Sequence, residues 1–396
     1  MMQISPETQL FIREHSSDDV RVLALQAKKY PDIDMPTAIT QIAGRKVAAE
    51  KIPSWWEIEK IWYPKHLSLE QCSSEITARY KARLLQGDSL TDLTGGFGID
   101  CSFLATGFKS ATYVERQEEL CEIAAHNFPV LNLNHINIKN EDGVTYLQVM
   151  SPVDCLFLDP ARRNEHGGKT VAISDCEPNV AELEELLLQK ANRVMIKLSP
   201  MLDLSLALKE LKQTQEVHIL SVNNECKELL ILLGQTSPTE ISIHCVNLST
   251  KGTQEEQHFV FTREQEQCSE CTYTDSLETY LYEPNASLLK AGAFRSIAAA
   301  YPVRKLHPNS HLYTSDTFIE NFPGRIFRIV NQCSFNKKEV KENLADLKKA
   351  NVTVRNFPAT VAELRKRIHL AEGGDTYLFA STLNNGQKVL IRCEKV

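Results

Sequence analysis

The stretch Asp92-Leu93-Thr94-Gly95-Gly96-Phe97-Gly98-Ile99-Asp100 decides how the chain is read. An apolar run at 90–93 leads into it. Glycines at such a junction let the backbone approach a ligand closely and leave amides unpaired at a helix N-terminus. Two phosphate-binding patterns fail against the residues present. The dinucleotide pattern needs G-x-G-x-x-G, and Cys101 stands where its third glycine belongs. Gly168-Lys169-Thr170 resembles a P-loop ending, but Arg163 occupies the required first glycine position.

Outward from the glycine loop, short apolar runs alternate with helical patterns. The runs fall at 90–93, 111–114, 134–138, 154–158, 194–198, 217–222 and 229–233, with helical stretches such as 118–126 and 180–190 between them. This alternation predicts a Rossmann-like α/β domain whose ligand lies at the strand C-termini. The gap at 223–228 is too short for a helical crossover, so the last of seven strands should run antiparallel. Runs at 240–246 and 258–263 read as an added hairpin. Acidic residues follow successive strands: Asp92, Glu115, Asp142 and Asp159. A carboxylate at the second strand's end suits two ribose hydroxyls, Asp142 suits an adenine amino group, and Asp159 lies beside the reacting end of a bound cofactor.

The flanks have other textures. Residues 1–87 read as helices, with a start at Ser17-Asp18-Asp19 and an apolar stripe of Val20, Leu23, Ala24 and Ala27 ending at Pro31. A second stripe, Ile39, Ile42, Ala43 and Val47, precedes an aromatic cluster of Trp55, Trp56, Trp62 and Tyr63. That cluster fits core packing, or a surface on which bases stack. Toward the C-terminus, strands are predicted at 325–330 and 352–356, helices at 337–349 and 360–370, and a hairpin joining 376–382 to 388–392 through Asn384-Asn385-Gly386. The expected domains are 1–87, 88–277, 278–320 and 321–396.

The motif series resembles class I S-adenosylmethionine-dependent methyltransferases over about residues 70 to 235. Residues 92–98 match the family's glycine motif, with Thr94 in place of its usual first glycine. The resemblance implies cofactor binding by Asp92, Thr94, Gly95, Gly96, Gly98, Glu115, Asp142 and Asp159. Gln71-Cys72-Ser73-Ser74-Glu75-Ile76-Thr77 resembles a segment that folds over the cofactor in RNA cap-guanine and related amino-methylating enzymes, which adds Thr77. The whole chain is similar to a bacterial group with a C-terminal ferredoxin-like segment and a THUMP-like domain. Its marks here are Lys197-Leu198-Ser199-Pro200, Glu225-Cys226-Lys227-Glu228, Tyr282-Glu283-Pro284-Asn285-Ala286 and Leu312-Tyr313-Thr314-Ser315. THUMP domains bind RNA, so the resemblance implies an RNA substrate.

The fourth-strand motif, Asp159-Pro160-Ala161-Arg162, departs from the acid-Pro-Pro-aromatic motif of amino-methylating enzymes. Ala161 stands where the second proline belongs and Arg162 where the aromatic belongs, and Arg162 or Arg163 is expected to stack on a base or bind phosphate through its planar fork. Uridine-C5 methylases need a cysteine after the fifth strand, where this chain has Lys197-Leu198-Ser199-Pro200; Cys176, the nearest thiol after the fourth-strand motif, reads as inert. The expected catalytic residues are therefore Asp159, Pro160, Arg162 and Lys197, and transfer to nitrogen is favoured. The alternatives are a non-catalytic RNA-binding protein retaining the fold, or an NAD-dependent oxidoreductase. Arg365-Lys366-Arg367, with Arg162 and Arg163, are the expected substrate contacts.

Composition sets the outer bounds. The 44 Lys+Arg and 51 Asp+Glu leave a net charge of -7, which excludes a uniformly basic nucleic-acid coat. The charge is uneven: residues 279–396 hold 18 basic and 10 acidic residues, a net of +8. Eleven scattered cysteines, no signal-peptide pattern and no membrane-length apolar run lead to the expectation of a cytoplasmic protein with reduced thiols. Cys268-Ser269-Glu270-Cys271 is half a zinc site, and His244, Cys245 and His258 complete it only if the fold gathers them; no metal is expected.

Overall fold

The computed structural model describes residues 4–162, 172–236, 238–250 and 256–396. They form two compact units, residues 1–215 with 229–239 and residues 216–228 with 240–396.

The first unit opens with helices whose starts the sequence marks. Ser5, Asp19 and Asp34 accept backbone N–H groups at the N-termini of Pro6–Glu14, Val20–Leu25 and Met35–Lys51. Gly44 lets the third of these lie flush against the following segment, because a Cβ there would come within 2.3 Å of Tyr63. Gln41 closes the contact with two hydrogen bonds to the Tyr63 backbone, at 2.8 and 2.9 Å. Asn127 does the same for Trp62, at 2.9 and 2.8 Å. Trp55 is 2% exposed and packs edge-on against Phe97 of the glycine loop, with centroids 5.2 Å apart. Trp62 stacks on His126 at 3.7 Å. Core packing therefore accounts for Trp55, Trp62 and Tyr63, and burying each such ring contributes on the order of 2–3 kcal/mol.

The strands of the α/β part are β1 (Ser89–Asp92), β2 (Ser110–Glu115), β3 (Ile136–Asn140), β4 (Val153–Leu158), β5 (Ala191–Leu198), β6 (Thr214–Val222) and β7 (Glu225–Gly234). In the first unit they are ordered β3-β2-β1-β4-β5-β7. The first five run parallel, and β7 pairs antiparallel with β5, from Leu198↔Leu229 to Arg193↔Gly234. Leu229 to Leu233 are all fully buried, as expected of a strand covered on both faces. β3 starts two residues later than its apolar run, because Asn132 turns the chain at φ +61°.

In the second unit, β6 pairs parallel with β8 (Ser242–Leu248), which forms the expected antiparallel pair with β9 (Glu256–Thr262). A seven-stranded sheet comprises β10 (Tyr280–Pro284), β11 (Arg304–Lys305), β12 (Tyr313–Ser315), β13 (Gly324–Ser334), β14 (Lys349–Val354), β15 (Ala371–Thr382) and β16 (Lys388–Lys395). Its order is β11-β12-β10-β13-β16-β15-β14. The helix predicted at 337–349 ends at Leu344, and Lys349 instead opens β14. The helix predicted at 360–370 is Val361–Ile368, started by a Thr360/Glu363 capping box and stopped by His369 at φ +56°. Glu283, 1% exposed on β10, is held by Arg325 at 2.9 Å and Arg355 at 2.9 Å. Asn285 caps helix Ala286–Ala291 through Leu288 N at 3.2 Å. The Tyr282–Ala286 motif thus has a structural job in this sheet. No described helix is long and apolar enough to cross a membrane.

Candidate active site

Four of the predicted site residues meet where β1, β4 and β5 end. Asp92 Oδ1 accepts the Thr94 backbone N–H at 2.9 Å. The Thr94 hydroxyl accepts the Asp159 backbone N–H at 2.6 Å, tying the end of β1 to the end of β4. A glycine at position 94 could not make this tie. Lys197 on β5 points its Nζ at Asp159 Oδ2, 2.6 Å away. The Asp159 side chain remains 38% exposed, so its rim faces the open end of the sheet.

Lys197 belongs to a larger buried set. Its Nζ also lies 3.0 Å from Asp100 Oδ2 and 2.9 Å from Ser73 Oγ. Lys81, 0% exposed on helix Glu75–Ala82, lies 2.9 Å from Asp100 Oδ1 and 2.8 Å from Ser73 Oγ. The Ser73 hydroxyl donates to Asp100 Oδ2 at 2.7 Å. Two ammonium groups thus face two carboxylates with a hydroxyl between them, which satisfies charges that burial alone would make costly. Burial works to raise the Asp100 carboxyl, but Lys197 and Lys81 outweigh it and hold the group below its ordinary range. Burial raises the Asp159 carboxyl, and Lys197 opposes that shift.

Asp92 differs from both. It is 1% exposed, and among the described residues no donor reaches its Oδ2. Burial pushes its carboxyl up to about 8, only partly offset by the Thr94 N–H. An unpartnered buried acceptor of this kind fits a ligand's hydrogen-bond donor or cationic group.

The glycine loop is shaped by its neighbours. A Cβ on Gly95 would come within 2.2 Å of the Tyr113 ring, so packing requires this glycine. Gly96 and Gly98 have φ of +53° and +88°, and Gly98 caps helix Ile99–Ala105. A Cβ on Gly96 would meet only the Thr94 carbonyl, at 3.8 Å. Glu115, ending β2, accepts Gly96 N at 2.9 Å and Gln117 N at 2.8 Å. Carboxylate lone pairs remain for a ligand's hydroxyls.

The other predicted residues are placed apart from this cluster. Thr77 is buried beside it on the Lys81 helix, and its hydroxyl donates to the Ser74 carbonyl at 3.0 Å. Asp142 is exposed and caps helix Gly143–Val149, accepting Val144 N and Thr145 N at 3.0 Å. Pro160 is buried after Asp159, and the Arg162 backbone pairs with Cys176 in a two-stranded ribbon. Cys176 is 1% exposed. Arg163 and the Gly168-Lys169-Thr170 sequence lie outside the described residues. In the second unit, Arg365 lies 3.9 Å from Glu372, Arg367 sits 4.1 Å over the Phe335 ring, and Lys366 is exposed. Consecutive helical positions are about 100° apart, so these three do not make one basic face. Cys268 and Cys271 join no group of three metal-ligating side chains among the described residues.

The sequence reading missed Lys81, and treated Ser73 and Asp100 only as parts of longer motifs. A lysine four residues after Thr77, on a helix beside the glycine loop, was the available signal; its full burial is a tertiary fact.

The chain aligns from end to end with a "putative methyltransferase" of Porphyromonas gingivalis W83. The two share 34% identity, all of each chain is covered, and the TM-score is 0.87. An rRNA methylase from Streptococcus thermophilus aligns at 15% identity over 40% of this chain and 93% of its own, with a TM-score of 0.30. A Streptococcus mutans protein in complex with SAH aligns at 14% over 40% of this chain and 96% of its own, also at 0.30. Two domain families match: a ferredoxin-like domain over residues 280–323 and a THUMP domain-like module over 324–395. No curated protein matches.

Proposed function

Since the chain belongs to the methyltransferase family with C-terminal ferredoxin-like and THUMP-like domains, we propose that it methylates a base nitrogen of a structured RNA, with S-adenosylmethionine as donor. The end-to-end likeness at 34% identity carries the reading. The RNA substrate is supported by the THUMP-like match and by the +8 charge of residues 279–396.

The cofactor supplies a methyl group activated by its sulfonium. The residues around the glycine loop fit it. Asp92 offers its unpartnered Oδ2 to the amino-acid end, Glu115 has lone pairs for ribose hydroxyls, and Gly96 leaves space where a side chain would intrude. Asp142, exposed at the next strand end, would meet the adenine side. Gly95 and Gly98 shape this cradle, and Thr94 and Thr77 brace it.

Methyl transfer is an in-line displacement, so alignment and local charge supply most of the rate. Asp159, aimed by Lys197 and by the Thr94 tie, would accept one N–H of an acceptor amino group. The Pro160 carbonyl would accept the other, turning the nitrogen lone pair toward the donor. Arg162 and Arg163 would hold the base or a phosphate. The proton released by the nitrogen passes to water at the exposed rim of Asp159.

The test is transfer of radiolabelled methyl from S-adenosylmethionine to total bacterial tRNA, rRNA and protein fractions. Labelling of an RNA fraction by the native chain, reduced to background by Asp159→Ala, is expected. Label no higher than that of the variant in every fraction would leave a non-catalytic RNA-binding protein. Calorimetry with S-adenosylhomocysteine and NAD separates the oxidoreductase reading, which predicts binding of NAD alone.

A further inference from the structure

Three histidines far apart in sequence stand together on the strands β6, β8 and β9. His218 and His244 are direct partners across the parallel β6–β8 pair. His258 lies opposite Val246 on β9, two residues along β8 from His244. Side chains alternate between faces at every residue, so Glu216, His218, His244 and His258 share one face. Cys245 has the opposite face and is fully buried there.

The contacts within this group bring ring nitrogens and a carboxylate oxygen close together. His244 Nδ1 lies 3.1 Å from His258 Nε2, and His218 Nε2 lies 3.2 Å from Glu216 Oε2. The His218 and His244 rings are stacked with centroids 4.3 Å apart. One ligand atom from each of Glu216, His218 and His244 falls within a span of 4.8 Å. In a tetrahedral zinc site, with bonds of about 2.0–2.1 Å, neighbouring ligand atoms sit about 3.3 Å apart. Two of the present spacings already match that edge. To hold one ion, the stacked His218 and His244 rings would have to turn so that a nitrogen of each faces it.

We propose that Glu216, His218, His244 and His258 bind one divalent transition-metal ion of the zinc class. Imidazole nitrogens with a single carboxylate are borderline ligands, which suit zinc or cobalt and disfavour magnesium and calcium. His218 is 2% exposed and His258 is exposed, so the group runs from the interior of the sheet to solvent and leaves a route of entry. An ion there ties β6, β8 and β9 together through side chains, adding to their backbone ladder. The proposal stands apart from the methyltransferase reading and holds or fails without it.

The full-length chain, stripped with a chelator, is titrated with Co²⁺ and then with Zn²⁺ in competition with a chromophoric chelator. The expected result is one Co²⁺ per chain with the intense visible absorption of a tetrahedral site, displaced by Zn²⁺. His244→Gln should weaken Zn²⁺ binding by roughly a hundredfold. His258→Gln, at an exposed position, tests the same loss without burdening the fold. A Cys268→Ser/Cys271→Ser double variant should bind as the native chain does. Absence of stoichiometric binding overturns the proposal. So does binding that survives both histidine variants, or that disappears in the cysteine double variant.

Discussion

Lys197 Nζ lies 2.6 Å from Asp159 Oδ2, joining the end of β5 to the end of β4 at the place where the sheet opens. The same nitrogen reaches Asp100 at 3.0 Å, so one buried cation serves both the proposed acceptor-binding acid and the acid behind the glycine loop. The arrangement explains why the fifth-strand motif begins with a lysine. A neutral residue there would leave Asp100, at 8% exposure, with Lys81 as its remaining cation.

Lys197→Met keeps the aliphatic stem and removes the charge. Breaking a buried pair on one side costs about 3–5 kcal/mol, and here the half-exposed Asp159 contributes less of it than Asp100 does. A loss of about 3 kcal/mol in urea unfolding is expected. Methyl transfer should fall much further than the fraction of unfolded protein accounts for. Unchanged stability would show that Lys81 alone satisfies Asp100.

The Asp92 carboxyl, pushed up to about 8 by burial, makes stability depend on pH. Between its unfolded value near 4 and about 8, the folded chain holds a proton that the unfolded chain has lost. Stability therefore falls as pH rises through this window, with a slope approaching 1.4 kcal/mol per pH unit, about one proton's worth. Asp92→Asn should flatten that slope in unfolding measured from pH 5 to 8. An identical slope in the variant would place the titration elsewhere.

If a cationic amine of the cofactor settles against Asp92, binding near neutral pH should expel the carboxyl proton. The measured binding heat of S-adenosylhomocysteine would then vary with the ionisation enthalpy of the buffer. A heat independent of buffer would mean that Asp92 keeps its proton in the complex.

Gly95 and Gly96 should respond differently to alanine. Gly95→Ala forces a Cβ into the Tyr113 ring, and overpacking of this kind costs about 1–3 kcal/mol. Gly96→Ala meets open space but keeps a φ of +53°, at a cost of about 1–2 kcal/mol. Thermal unfolding reads the stability difference. Calorimetry should show the larger affinity loss per unit of lost stability at Gly96.

Of the three basic residues on helix Val361–Ile368, Arg365 lies beside Glu372 and Arg367 over the Phe335 ring, so the exposed Lys366 should carry the phosphate contact. Lys366→Ala should weaken RNA binding and lower the slope of log affinity against log salt by about 1. Arg367→Ala should instead lower stability through its stack on Phe335. A salt slope unchanged in Lys366→Ala would remove this helix from the RNA interface.

Much of the fold is legible in the residues themselves. Apolar runs of strand length, helix caps such as Asp19 and Asp34, and the short link at 223–228 act through local geometry, which sequence spacing reports directly. The glycine loop and the acids at the strand ends belong to the same class. Boundaries failed where one residue redirects the backbone, as Asn132 does before β3 and His369 does after the last helix. The aromatic cluster left two readings open, because a tryptophan's sequence neighbours do not reveal whether Phe97 or His126 will cover its ring.

By itself the sequence determined the α/β alternation, the antiparallel last strand and the carboxylates at the strand ends, since periodicity and link length act within a few residues. Only the tertiary structure decided which charges face one another. Ser73 and Lys197, which meet in the site, are 124 residues apart in the chain, and His218, His244 and His258 meet across three strands. Coulomb attraction and metal chemistry act over a few ångströms of space, and no spacing along the chain reports that distance until the sheet has brought its strands together.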